Sequence, residues 1–159
     1  MISSTVSSNY TGRKKDISVF QNPDPLLIGA QSVLPSFGKS ARFCSGVQKL
    51  VQRYAIILLT NLNSQPAFTD FGTDFLYTVK AGISPVDQIR AAQIFNLASY
   101  DAVTLLKQYQ STDTSIPSDE KISDAKLTNL ALAGGYAAFE VTIYTEAGDN
   151  IEFIIPLPK

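Results

Sequence analysis

The sequence predicts an α+β domain: central helices packed on one face of a mainly antiparallel sheet, with a three-strand meander at the C-terminus. Three observations carry that prediction. Apolar residues recur at helical spacing over 45–60, a second helical pattern occupies 85–110, and beyond Lys121 the period changes to two. Residues 1–25 read as an extended arm and 26–159 as a single domain.

The arm is polar without periodicity (Ser3, Ser4, Thr5, Ser7, Ser8, Asn9, Thr11) and carries a basic cluster, Arg13-Lys14-Lys15. It has too little apolar surface to offset the entropy of ordering it alone. Two readings of the cluster stand: a solvated tail, or an arm that orders against an acidic surface of a partner. Ile17, Val19 and Phe20 alternate loosely and suit a short strand added to a neighbour.

Asn22-Pro23-Asp24-Pro25 interrupts regular structure. Leu26–Ile28 and Ser32–Leu34 are candidate short strands, ended by Gly29 and Pro35, that complete the sheet. Phe37-Gly38-Lys39-Ser40 invites comparison with a phosphate-binding loop, but the first glycine of that spacing falls at Val33, so the backbone cradle is missing. A turn before the main helix accounts for it better.

That helix spans Ser45–Thr60, with Ser45 as the expected N-cap. Val47, Leu50, Val51, Tyr54, Ile57 and Leu58 form its apolar face, and Gln48, Lys49, Gln52 and Arg53 fall opposite. A polar loop over Asn61–Thr69 leads to Phe71-Gly72-Thr73-Asp74-Phe75. There Gly72 supplies the backbone freedom that turns both phenylalanines inward. Leu76, Tyr77 and Val79 continue a short helix capped by Gly82. Ser84-Pro85 opens the next helix, which runs to Gln110 and has Ser99 or Asp101 as candidate break points.

After a polar loop over Ser111–Lys121, Lys126–Leu132 reads as a strand closed by Gly134-Gly135. Phe139, Val141 and Ile143 alternate with Glu140, Thr142 and Tyr144 in a second strand. Ala147–Asn150 is the hairpin turn. Ile151, Phe153 and Ile155 then alternate with Glu152 and Ile154 until Pro156 and Pro158 end the third.

Composition narrows the chemistry. The chain has no histidine, which removes the usual general base and the commonest metal ligand. Cys44 is its single cysteine, which excludes an intrachain disulfide, and is expected as a buried or half-buried thiol. A net charge of −1 predicts no general attraction to nucleic acid or to an anionic membrane. The longest nearly apolar run, Tyr54–Leu59, is far short of a membrane span, and no leader is visible, so a soluble chain in a cytoplasm is expected.

The candidates for paired-carboxylate chemistry are Asp70, Asp74, Glu120, Glu140, Glu146 and Glu152. Turn and cap roles account for Asp70 and Asp74, and solvent-facing positions across a hairpin account for Glu140 and Glu152. Asp113, Asp119, Glu120 and Asp124 lack the spacing of a calcium loop. The aromatic residues follow the core pattern and are not interleaved with bases as on a stacking platform.

The stretch Gly46-x-Gln48-x-Leu50-x-Gln52, leading through Ile57-Leu58-Leu59-Thr60 to Pro66-Ala67-Phe68-x-Asp70-Phe71-Gly72-Thr73, resembles a known family. This is the small wedge protein of contractile phage tail baseplates and related injection systems, also labelled "lysozyme-like". In that family, too, a helix ends in Leu-Leu-Thr, a loop with proline and Tyr/Phe-Gly follows, and a later helix and a β-hairpin complete the fold. The similarity covers Leu26–Leu157 in order of elements and Ser45–Lys80 in residue pattern. Many members carry a Glu-Pro-Arg triplet that holds a helical bundle of neighbouring subunits; the corresponding region here, Lys80-Ala81-Gly82-Ile83-Ser84-Pro85, has neither Glu nor Arg. No acid–base pair supports the lysozyme-like label.

The resemblance implies a mechanical role with no catalytic activity, cofactor or metal. It implies a multi-copy hetero-oligomeric assembly in the virion tail baseplate, put together in the host cytoplasm. Its partners would be other wedge proteins and tail tube or sheath subunits, not nucleic acid or membrane. The candidate partner-binding residues are Ile151, Glu152, Phe153, Ile154 and Ile155, as an extendable terminal edge, and Arg13, Lys14 and Lys15 in the arm. The alternatives are a peptidoglycan-cleaving tail enzyme using paired carboxylates and a neck or tail completion adaptor.

Overall fold

The computed structural model describes residues 12–21, 31–32, 34–35, 43–82, 87–133 and 136–158. The expected Leu26–Ile28 strand, the Gly38-Lys39-Ser40 turn, the Ser84-Pro85 helix start and the Gly134-Gly135 turn lie outside these residues. The fold is α+β.

Among the described residues, five two-residue strands come first: β1 (Asp16–Ile17), β2 (Phe20–Gln21), β3 (Gln31–Ser32), β4 (Leu34–Pro35) and β5 (Phe43–Cys44). Helices α1 (Val47–Leu59), α2 (Phe75–Gly82) and α3 (Gln88–Ser111) follow. The long strands β6 (Ile122–Ala133), β7 (Tyr136–Thr145) and β8 (Asn150–Pro158) complete the chain. These three form an antiparallel meander, and β3 adds to it in parallel beside β8, giving the order β3-β8-β7-β6. The pairs β1–β5 and β2–β4 are separate antiparallel ladders.

The period-two pattern sorts the sheet as its sequence demands. Phe139, Val141 and Ile143 face inward opposite Ile155, Phe153 and Ile151, and all six are buried. On β6 the inward set is Ala125 and Leu127, then Leu130 and Leu132, because Thr128 is the extra residue of an irregularity between Leu127 and Asn129. The Thr128 hydroxyl is hydrogen-bonded to that of Thr142 across the ladder at 2.6 Å. Strand β6 begins at Ile122, four residues before the expected Lys126, and β8 runs through Pro156 to Pro158. Proline is tolerated on β8 because, beyond Ile154, it is an edge among the described strands.

Aromatic packing joins the layers. Phe75 of α2, Phe95 of α3 and Phe139 of β7 form a fully buried trio with ring centroids 5.2–5.5 Å apart. Tyr54 of α1 meets Phe153 of β8 edge-on at 6.1 Å, and its hydroxyl is hydrogen-bonded to Ser99 at 2.7 Å. Ser99 thus satisfies a buried phenol inside an unbroken helix; neither it nor Asp101 interrupts α3.

Helix starts differ from expectation. Gly46, not Ser45, caps α1, with φ 62° and ψ −138°, a conformation that favours glycine. Asp87 caps α3, its carboxylate accepting from the Arg90 N–H at 2.9 Å. The larger difference concerns the polar side of α1. Lys49 and Gln52, expected toward solvent, are buried, because residues 13–19 lie across that face.

Candidate functional site

The basic cluster of the arm binds its own chain. The Arg13 guanidinium donates to both Asp119 carboxylate oxygens, at 2.8 and 2.7 Å, and to Glu120 at 3.2 Å. Lys14 reaches Asp113 at 3.0 Å and the Ser115 hydroxyl at 2.9 Å; Lys15 is exposed. Through Arg13 and Lys14 the arm is therefore paired within its own chain, while Lys14 and Lys15 stay exposed. The acidic surface it meets is the 113–120 loop.

Side chains of α1 fix the segment in place. Gln52 acts as a two-ended clamp, donating to the Ile17 carbonyl and accepting from the Val19 N–H, both at 2.9 Å. Lys49 donates to the Lys14 carbonyl, and Arg53 pairs with Asp16 at 2.9 Å. Cys44, next along the β1–β5 ladder, is buried, and burial and then the nearby Asp16 carboxylate push its thiol pKa upward, which keeps it protonated.

Glu120 is the node of this arrangement. It sits at the end of a single 3-10 turn, Ser118–Glu120, and forms an ion pair with Lys49 as well as Arg13. Its backbone carbonyl accepts from the side-chain amide of Gln110, whose Oε1 accepts from the Ile122 N–H. One carboxylate thus ties the strap (residues 12–21) to α1 and to the α3–β6 connection. This carboxylate is enclosed between two cations and is almost wholly buried.

Among the described strands, the terminal strand is the free edge the sequence suggested only in part. Ile151, Phe153 and Ile155 are core residues, while Glu152 and Ile154 are half-buried on the outer face, opposite Thr142 and Glu140. Strand β3 occupies the outer side of β8 at Phe153 and Ile154. At the other edge, β6 is blunted by its own side chains. Asp124 accepts from the Ala125 N–H and Asn129 from the Leu130 N–H, each at 2.9 Å, so these donors are not offered to a neighbouring strand.

The C-terminal end of α1 and the loop that follows it build a clasp. Thr73 N–H donates to the Thr60 carbonyl at 2.8 Å, Leu62 N–H to the Thr73 carbonyl, and the Thr73 hydroxyl to the Leu58 carbonyl. That hydroxyl also accepts from Phe75 N–H, so Thr73, not Asp70 or Asp74, satisfies the start of α2. Gly72 has φ 110°, and a Cβ there would lie 2.4 Å from the Thr60 carbonyl oxygen.

Between this clasp and α3 lies a groove of about 500 Å³. Leu62, Phe75, Ile94, Leu97 and Leu105 give it an apolar lining, and Asp70 and Asp74 on one wall oppose Asp101 on the other. Along its solvent side α3 carries Ile89, Leu97 and Tyr100, each more than 70% exposed. Their spacing of eight and three residues places them on one side of the helix. Apolar residues on both sides of the helix are the sequence signal for this surface.

Among the described residues, no group of three or more His, Cys, Asp or Glu lies close enough to hold a metal ion, and no helix is long and apolar enough to cross a membrane. Comparison with known proteins finds no matching family model, no matching curated protein and no matching solved structure.

Proposed function

We propose that the protein is a structural subunit of a multi-chain assembly, without catalytic activity, and specifically a wedge-type subunit of a contractile phage tail baseplate that joins neighbouring wedge proteins and the start of the tube or sheath. The observation that supports an assembly role is the exposed apolar side of α3, Ile89, Leu97 and Tyr100, on a helix whose opposite side fills the core with Ala91, Phe95, Ala98 and Ala102. Large apolar side chains aligned on solvent are the mark of a surface that another protein covers. The choice of a baseplate rests on the residue pattern from Gly46 to Thr73, where Thr60, Gly72 and Thr73 of that pattern form the clasp.

Two measurements test this. Purified protein should leave cell-wall substrate intact in a zymogram; clearing that disappears on Asp70→Asn or Glu140→Gln contradicts the structural reading. Tagged protein recovered from tail subassemblies should bring wedge, tube or sheath subunits with it; recovery with portal or head-completion proteins alone points to the neck.

A further inference from the structure

We infer that the groove between the Thr60–Phe75 clasp and α3 receives a segment of a partner protein that carries a large apolar side chain flanked by lysine or arginine. This rests on the assembly reading above and names the chemistry of the partner. The apolar lining supplies the first half of the argument. Leu62 and Leu97 are exposed, and with Ile94 and Leu105 they form a floor that an aliphatic or aromatic side chain would desolvate. The walls supply the second half. Asp70 and Asp74 stand on the loop side and Asp101 on the helix side, and no Lys or Arg lines the groove.

None of these three carboxylates has a salt bridge among the described residues; the hydrogen bond of Asp70 is to its neighbour Thr69, at 3.4 Å. By contrast Asp16, Asp113, Asp119, Glu120 and Asp124 are each paired with a cation of this chain. The groove therefore concentrates uncompensated negative charge in a protein whose net charge is only −1. The three carboxylates do not form a metal-sized cluster. An occupant that neutralises both walls must reach across the apolar floor, as a peptide with spaced cationic side chains does and a single ion does not.

The test uses the full isotope-labelled chain and two synthetic amphipathic helical peptides with identical leucine positions, one bearing lysine and the other glutamate at the remaining sites. The lysine peptide should shift backbone amides on both walls, in 70–78 and 94–108, and its affinity should fall as salt is raised. The glutamate peptide should leave those amides unmoved. Asp74→Asn/Asp101→Asn should weaken the lysine peptide by about three- to tenfold, the effect of losing two exposed charge pairs. The salt dependence is read on the unaltered protein and needs no variant. Equal response to both peptides, shifts spread over the strap or sheet, or undiminished binding by the double variant overturns the inference. Peptide that ignores the groove, with the chain still incorporated into tails, removes the basic occupant and leaves the assembly reading. Binding in the groove by a chain that enters no tail removes the baseplate and supports the groove.

Discussion

Lys49 and Glu120 form an ion pair whose side chains are 6% and 1% exposed, and the pair joins the first helix to the turn that precedes the sheet. Two ions withdrawn from water are held by mutual attraction plus the hydrogen bonds around them. Removing one leaves the other buried without its counter-charge. Glu120→Gln should therefore cost about 3 kcal/mol in urea denaturation, within the range for breaking a buried pair. Lys49→Met should cost less, because Arg13 still faces Glu120 at 3.2 Å. The double change Lys49→Met/Glu120→Leu should recover part of the loss, and no recovery would contradict this account of the pair.

Gln52 holds the strap by two hydrogen bonds to backbone, so Gln52→Ala leaves the Ile17 carbonyl and the Val19 N–H without that partner. Each lost bond of this kind is worth about 1 kcal/mol. Hydrogen exchange at the Val19 amide should quicken by about tenfold or more, while amides of β7 keep their protection. Unchanged exchange at Val19 would show that the strap is held by other contacts.

These two examples mark where the sequence was legible. Helical and strand periods reveal which face of α1 and of β7 and β8 is apolar, because those patterns are local and strong. They do not reveal what covers the polar face of α1. Burial of Lys49 and Gln52 depends on a segment more than 30 residues away whose own composition resembles a solvated tail. Glu120 read as one carboxylate among several in a polar loop; its burial follows from where α1 and α3 bring Lys49 and Gln110. Of the partner residues proposed on the β8 edge, Ile151, Phe153 and Ile155 are core residues for the same reason: alternation identifies an inward face, not which edge of the sheet stays open. The α3 surface is legible in principle, because apolar residues stand on both sides of that helix.

Gly72 should tolerate no side chain. Gly72→Ala combines an unfavourable positive φ with a Cβ 2.4 Å from a backbone oxygen that cannot swing aside. Strain of this kind costs on the order of 2–4 kcal/mol, and the melting temperature should fall by several degrees. The effect should also reach the groove, since the clasp forms one of its walls. A variant as stable as the parent would contradict the close approach of Gly72 and Thr60.

Tyr54 sets an alkaline limit. Burial pushes its phenol well above the ordinary value near 10, with the Ser99 hydrogen bond opposing that shift and Asp124 adding to it. A folded-state pKa raised above the unfolded one gives stability that is complete below about pH 10 and is lost as pH rises toward the folded value. Denaturation midpoints should hold steady from neutrality to about pH 9 and fall above it. Tyr54→Phe should flatten that fall while leaving Ser99 short of one hydrogen bond at neutral pH, at a cost of about 1 kcal/mol. An equal alkaline fall in Tyr54→Phe would assign it to other groups.

Truncating the chain before Ile151 removes Ile151, Phe153 and Ile155 from the core, so it unfolds the domain and does not probe an interface. The direct test of the assembly claim is a surface change on α3. Leu97→Ser/Tyr100→Ser replaces two exposed side chains and should leave the circular dichroism spectrum and urea midpoint close to those of the parent. Incorporation into purified tail particles should then be measured for variant and parent side by side. The account predicts a folded variant that is lost from the particles; a folded variant incorporated as well as the parent would contradict it.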